Sequence, residues 1–291
     1  DISKESSVSN SHLSYLEDKL LNYKPNKIEE TDITSSPFKH PLGIYDENSL
    51  YFKWNILPDY VKAARSKLSE NDPMYDKIIL DKWGRKNETG LYTETPEMVF
   101  YRAALKVSEG LTKNNPNLNH DKTVRYIFEK FVNREIFPNT PYMANGGHKL
   151  LANYLESRIK ESNLGPSAFK INLSSQLAQP ILDDLEEEKK QKEQLFACFV
   201  LAMGDSRKSI NRTLDEASEI QALIGGTGFN FRLRQANEVI SGSGGFTDGP
   251  VSFMKGYSVY LGTVMNQGGK REGANMFMLD HNHPDIMRFI Y

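Results

Sequence analysis

From Leu195 onward the hydrophobic pattern alternates between two periods, and this alternation constrains the fold more than any other feature of the sequence. Leu195 to Ala202 is a continuous apolar run of strand length, and it predicts a buried strand with Cys198 inside it. Ile210, Leu214, Ala217 and Ile224 then fall at helical spacing, and Gly225-Gly226 is expected to stop that helix. Gly228 to Leu233 reads as a second strand, followed by a glycine-rich loop from Ser241 to Gly249. Pro250 opens another helix, with Phe253, Tyr257, Tyr260 and Val264 on one face. Gly268-Gly269 closes it, and Ala274 to Leu279 is a third strand. Strand, helix, strand, helix, strand predicts an α/β fold with a parallel sheet.

The region before it has a different texture. With 291 residues the chain can hold one large domain or two modest ones. Residues 1–50 read as a polar extension packed loosely or in part, residues 51–194 as a mainly helical domain, and residues 195–291 as the α/β part. Thr95-Pro96-Glu97 is a helix start, with Val99, Ala103 and Val107 on one face behind it. Val124, Ile127, Phe128 and Phe131 mark a second helix, which ends before a loop at Pro138, Asn139, Thr140 and Pro141. Asp183 to Glu193 is nearly unbroken charge and reads as a solvated helix without chemistry.

The net charge of −2 and a pI near 6.4 give no electrostatic argument for nucleic acid or an anionic membrane as partner. No apolar stretch approaches a membrane span, and the polar start has no secretory signal core. The single cysteine, Cys198, excludes an internal disulfide and any CxxC motif, so the expected setting is reducing and cytoplasmic.

Three glycine-bearing loops are candidates for ligand contact. Gly225-Gly226-Thr227-Gly228-Phe229 is not a dinucleotide fingerprint, because here the glycines close a helix and open a strand rather than the reverse. It is either a turn where bare backbone approaches a ligand or a plain helix cap. Gln267 to Asn275 combines glycines with Lys270 and Arg271 like a phosphate or base clamp, but it lacks the Lys-Ser/Thr of a Walker A loop. Ser241-Gly242-Ser243-Gly244-Gly245 can be a flexible connector. In Asp280 to Asp285 two histidines invite a metal reading. No further spaced ligand group accompanies them, so a capped helix start at Pro284 is preferred and no metal is expected. A lone cysteine such as Cys198 is by itself a small packing residue.

Taken together, these strings resemble a known family. Phe196-Ala197-Cys198-Phe199-Val200-Leu201, Gly204-Asp205-Ser206, Gly225 to Phe231, Leu233-Arg234, Gly249 to Lys255, Gln267-Gly268-Gly269, Gly273-Ala274-Asn275-Met276 and His283-Pro284-Asp285-Ile286 resemble the first half of a ribonucleotide reductase barrel. The wording is most similar to the adenosylcobalamin-dependent class II enzymes. Glu94-Thr95-Pro96-Glu97 and Phe137 to Pro141 match upstream. The resemblance implies a helical amino-terminal region followed by the first half of a ten-stranded α/β barrel, incomplete in this chain.

It also implies roles. Cys198 resembles the first member of the redox pair that reduces the ribose, and Thr140, Ala197 and Gly226 match substrate-contacting positions. Asp205, Ser206, Arg207 and Arg234 match an allosteric site for a deoxynucleoside triphosphate. Gln267, Gly268, Gly269, Lys270, Arg271, Glu272, Gly273 and Ala274 match the loop that links that site to substrate choice. The implied cofactor is adenosylcobalamin, bound mostly outside this chain. Implied partners are a ribonucleotide substrate, the effector, the carboxy-terminal half of the enzyme, a thioredoxin-like reductant and a second copy. One cysteine cannot form a dithiol, and the Asn-X-Cys-X-Glu radical loop is missing, so the chain alone is expected to be inactive. Two alternatives stand beside this: a class I large subunit fed by a separate radical generator, and a non-catalytic nucleotide-binding module. Glu272 stands where class II relatives usually carry arginine, and residues 146–194 exceed their usual connector.

Overall fold

The computed structural model describes residues 14–15, 17–25, 42–69, 73–162, 175–264 and 273–291. The chain divides into two compact units, Asp1–Glu193 and Gln194–Tyr291.

The first unit is helical: α1 (Glu47–Asn55), α2 (Asp59–Ser69), α3 (Pro73–Trp83), α4 (Pro96–Asn114), α5 (His120–Val132), α6 (Thr140–Asn145), α7 (His148–Ser162) and α8 (Ser175–Lys189). α4 is its axis, packed by α2, α3, α5, α6 and α7. Thr95 holds the extended conformation of an N-cap and Pro96 fixes the first helical φ, although the Thr95 side chain makes no capping bond. The single apolar face expected for α4 is too narrow. Met98, Val99, Phe100, Tyr101, Ala103, Ala104 and Leu105 are all buried, so the first half of the helix is enclosed on every side. Asn119 caps α5 by accepting from the Lys122 amide. The loop expected around Asn139-Thr140-Pro141 is in part a helix start, because the Asn139 carboxamide oxygen accepts from the Tyr142 amide and nucleates α6. α1 runs across the expected boundary at residue 50, and Tyr45 and Leu50 are buried.

The charged run is the largest correction in this unit. The solvated helix expected over 183–193 is the end of α8, which stops at Lys189, and one of its faces is not solvated. Ile181, Asp184, Leu185 and Glu188 lie at i, i+3, i+4 and i+7, so the two carboxylates share the stripe that buries Ile181 and Leu185. Cations already inside the unit make that burial tolerable.

The second unit is a three-stranded parallel sheet, β1 (Cys198–Leu201), β2 (Gly226–Asn230) and β3 (Asn275–Met278), in the order β1-β2-β3. α9 (Arg207–Ala222) joins the first two strands and α10 (Pro250–Val259) leads toward the third; α11 (Ile286–Ile290) follows β3. The core is Ile210 and Ala217 of α9, Phe229, Phe231 and Leu233, and Met254, Tyr257 and Leu261, with Leu201 and Phe277 against them. Tyr257 packs edge-on to Phe229 and Phe231 and donates its hydroxyl to the Ile210 carbonyl.

Three expectations change here. β1 is not a buried strand: Cys198 and Val200 are exposed, Val200 by 80%, while Phe199 and Leu201 are half-buried. The period of two puts alternate residues on opposite faces, and among the described residues helices cover one face only. The helix before β2 is stopped by Ile224, which takes the left-handed conformation at φ 69°, and not by the glycines. Gly225 and Gly226 are used differently: a Cβ on Gly225 would lie 2.6 Å from the Ile220 side chain, and Gly226 is already strand. Finally, the helix from Pro250 passes into a π-turn at Tyr260–Val264. Leu261, four residues after Tyr257, is buried on the inward face, whereas Tyr260 is 39% exposed.

Candidate functional site

Strand register assembles the candidate site. Cys198 pairs with Gly226, and Val200 with Gly228, which in turn pairs with Met276. All five therefore share the uncovered face, whereas Phe199, Thr227, Phe229, Asn275 and Phe277 share the other. The Gly226 amide donates to the Ala197 carbonyl at 2.7 Å, and the Thr227 amide to the Ala274 carbonyl at 2.9 Å. Cys198, Ala197 and Gly226 thus form one corner, an accessible thiol beside a residue with no side chain. The expected substrate contacts Ala197, Cys198 and Gly226 come together. Thr140 opens α6 in the helical unit.

The four residues expected at the effector site meet at the start of α9. Ser206 is its N-cap, accepting from the Ser209 amide at 3.2 Å, and Arg207 is its first residue. Asp205 accepts from Arg234 Nε at 2.8 Å, and this bond and charge hold the Arg234 guanidinium above its ordinary range. The amino end of a helix carries unpaired N–H groups and partial positive charge, and here an arginine stands beside it. Of the expected loop 267–274, only Gly273 and Ala274 fall within the described residues; Gln267, Gly268, Gly269, Lys270, Arg271 and Glu272 lie outside them.

The sequence around Asp280 to Asp285 builds structure. His283 Nε2 donates to the Leu233 carbonyl at 2.8 Å, and its Nδ1 accepts from the Asp285 amide at 3.0 Å. Asp285 accepts from the Ala236 amide at 2.7 Å and precedes α11 directly. Gly249 meets these groups at φ 77°, where a Cβ would lie 2.5 Å from Asp285 Oδ2, so only glycine fits.

Two constellations were not anticipated. In the helical unit Arg102, completely buried, donates to Glu94 at 2.8 Å and to the carbonyls of Trp83, Met143 and Gly146. Lys53 and Arg85 contact Asp184 at 2.7 and 2.6 Å, and His148 Nδ1 lies 3.5 Å from Glu188. Burial pushes the Glu94 carboxyl up, but Arg102 and His148 outweigh it and hold it at about 2. Asp184 is likewise held below the usual carboxylate range: burial opposes, and Lys53 and Arg85 prevail. Ligand atoms of Glu94, His148 and Glu188 lie within 4.8 Å of one another, a metal-like spacing. Arg102, Lys53 and Arg85 already balance the charges of Glu94, Asp184 and Glu188, so the cluster is an ion-pair network. The i, i+3, i+4, i+7 stripe in α8 is the signal that could have revealed it. The second constellation, Gln221 with Thr227 and Asn275, joins three elements of the sheet unit. Nothing in the local sequence announces it.

No described helix is long and apolar enough to cross a membrane. Residues 70–150 match the model of the ribonucleotide reductase all-alpha domain, and residues 196–291 match that of the ribonucleotide reductase barrel domain. Over 98 residues the chain is 52% identical to a vitamin B12-dependent ribonucleoside-diphosphate reductase of Thermoplasma acidophilum, a match covering 33% of this chain and 13% of that protein. It is 46% identical over 97 residues to the Mycobacterium tuberculosis protein of the same name, covering 33% and 14%. It is 32% identical over 107 residues to a ribonucleoside-diphosphate reductase alpha subunit of Bacillus subtilis, covering 36% and 10%. The chain therefore matches only a small part of the length of these relatives. With one family domain over the helical unit and the other over the sheet, the chain belongs to the ribonucleotide reductase family.

Proposed function

We propose that this chain is the substrate-cradling and effector-reading portion of a class II, adenosylcobalamin-dependent ribonucleotide reductase. The observation that carries this reading is the placement of an accessible Cys198 thiol directly across from Gly226 on the uncovered sheet face. A ribose can approach the thiol there because the opposing residue has no side chain. The vitamin B12-dependent relatives support the class.

The reaction removes the ribose 2′-hydroxyl as water and consumes two electrons and two protons. Cys198 and a partner cysteine outside this chain supply them by passing from dithiol to disulfide. When bound, adenosylcobalamin supplies the radical that starts this chemistry. The residues present fit the reductant half, since Cys198 is accessible and in no disulfide. The cobalamin and the radical-bearing cysteine belong to the remainder of the enzyme. The backbone of Ala197 and Gly226 positions the nucleotide, a di- or triphosphate, and Thr140 carries over from the family resemblance as a substrate contact. Asp205, Ser206, Arg207 and Arg234 take the triphosphate of a deoxynucleotide effector at the amino end of α9, and Gln267 to Ala274 carries its identity toward the substrate. A thioredoxin-like protein re-reduces the disulfide, and a second copy is the expected assembly partner.

Alkylation of Cys198 followed by mass spectrometry tests the reading. Saturating ribonucleoside diphosphate or triphosphate should slow labelling severalfold. Unchanged labelling, together with tight deoxynucleotide binding, would instead support a nucleotide-binding module. Turnover with a metal-radical partner and none with adenosylcobalamin would place the enzyme in class I.

A further inference from the structure

Gln221 occupies a core position of α9. It lies on the stripe of Ile210, Thr213 and Ala217, all buried, and is itself only 7% exposed. A hydrocarbon would satisfy such a site, yet the sequence places a carboxamide there. Its Nε2 donates to Thr227 Oγ1 at 2.7 Å and to Asn275 Oδ1 at 2.6 Å, and Thr227 Oγ1 donates to the same Asn275 oxygen at 2.9 Å. Thr227 and Asn275 are direct partners across β2 and β3, so the three side chains close a ring over α9, β2 and β3. The remaining atom, Gln221 Oε1, is buried and has no hydrogen-bond partner among the described residues. It faces the backbone of Gly273, where a Cβ would lie 2.2 Å from Oε1 and 2.9 Å from Cδ. No side chain fits between them, so the carboxamide bears directly on the chain as it leaves residues 265–272 and enters β3.

The two ends of α9 consequently hold different things. Ser206 and Arg207 stand at its start beside the Asp205–Arg234 pair, and Gln221 stands near its other end, one position before the last residue. A helix is stiff along its axis, so displacement at the start is delivered at the far turn. At that turn Gln221 grips Thr227, the neighbour of Gly226 in β2, and touches Gly273. Buried polar networks of this kind have few alternative arrangements and respond discretely to small shifts.

We infer that Gln221 is a positioning residue that passes movement of α9 to the Gly226–Thr227 corner and to the loop exit at Gly273, and so sets how strongly a bound effector changes substrate preference. The inference rests on the proposed reading of Asp205–Arg234 as effector site and of 267–274 as specificity loop.

The test uses the whole enzyme carrying these residues. For wild type, Gln221→Met and Thr227→Val, effector Kd is measured by calorimetry, and the kcat/KM ratio for two competing ribonucleotides is measured with and without each deoxynucleoside triphosphate. Gln221→Met keeps side-chain length and loses the ring; Thr227→Val keeps the branched shape and loses the hydroxyl, giving a second route should the first variant fail to fold. Both variants should bind effector within about twofold of wild type while the effector-induced change in substrate ratio, typically about 5- to 150-fold in coupled systems, collapses toward one. Equal loss of turnover for all substrates, with the effector-induced ratio intact, would mean a merely structural role and overturn the inference. So would a full effector response in both variants. A wild-type enzyme whose substrate ratio ignores every deoxynucleotide would overturn the parent reading as well, and that outcome is visible before any variant is made.

Discussion

The helical unit and the sheet unit differ in what their apolar cores enclose. At the centre of the first, Arg102 and Lys53 are fully enclosed and held by Glu94, Asp184 and backbone carbonyls. At the centre of the second, Phe229, Phe231 and Tyr257 stack edge to face with no charge among them. Their surfaces differ in the reverse sense. The sheet unit leaves Val200 and Met276 bare beside Cys198, whereas the axis helix of the first unit is enclosed over its first ten residues, Pro96 to Leu105. A core of directional ion pairs specifies one arrangement and fails abruptly when a partner is lost. An aromatic core on one side of a sheet leaves the other side available for ligand, and the candidate chemistry lies on that side.

The largest way to break this contrast is Arg102→Met. Removing the guanidinium strands a buried carboxylate and three carbonyls, and loss of about 3–5 kcal/mol is expected from a buried pair. Trp54 and Trp83 both lie in the helical unit, so fluorescence-monitored urea unfolding reports on that unit; a loss below about 1 kcal/mol would show the network to be dispensable. Acid is the next probe. Glu94 is held at about 2 in the folded protein, below the ordinary unfolded value of roughly 4.3. Its contribution is therefore complete above the unfolded value and disappears as pH falls through the folded one. About 2–3 kcal/mol should be lost between roughly pH 4.3 and 2. Glu94→Gln should flatten that part of the profile, and an unchanged slope would contradict the pairing.

In the sheet unit Tyr257→Phe removes only the hydrogen bond to the Ile210 carbonyl. A cost of about 0.5–1.5 kcal/mol is expected, read as faster hydrogen exchange of β2 amides. Smallest of all is Cys198→Ser. An exposed side chain in no contact network should change stability by no more than about 0.5 kcal/mol, and the native thiol should react with iodoacetamide without denaturant. Slow labelling, or a large destabilisation, would mean that the face is covered.

The order of elements was legible because periods of 3.6 and 2 are written directly in the apolar positions, as Val124, Ile127, Phe128 and Phe131 show for α5. Burial was less so. A run such as Phe196 to Leu201 looks alike whether one face or both are covered, because its uncovered face is apolar too. In the charged run, solvated neighbours hide two carboxylates that fall on the inward stripe, and their cations Lys53 and Arg85 lie a hundred residues or so earlier in the chain. After Tyr257 both i+3 and i+4 are helical spacings, so periodicity alone did not choose Leu261 over Tyr260. As for the site, family resemblance brought Cys198, Gly226, Asp205 and Arg234 forward, while Gln221, Thr227 and Asn275 meet through space alone.

Sustained reduction of a ribonucleotide is the direct test of Cys198 as a redox thiol. The enzyme assembled from this chain and the remainder of its barrel is assayed with adenosylcobalamin and a thioredoxin-like reductant, as wild type and as Cys198→Ser. Wild type should turn over steadily many times and Cys198→Ser not at all, with nucleotide still bound by both. Continued turnover by Cys198→Ser would contradict that role.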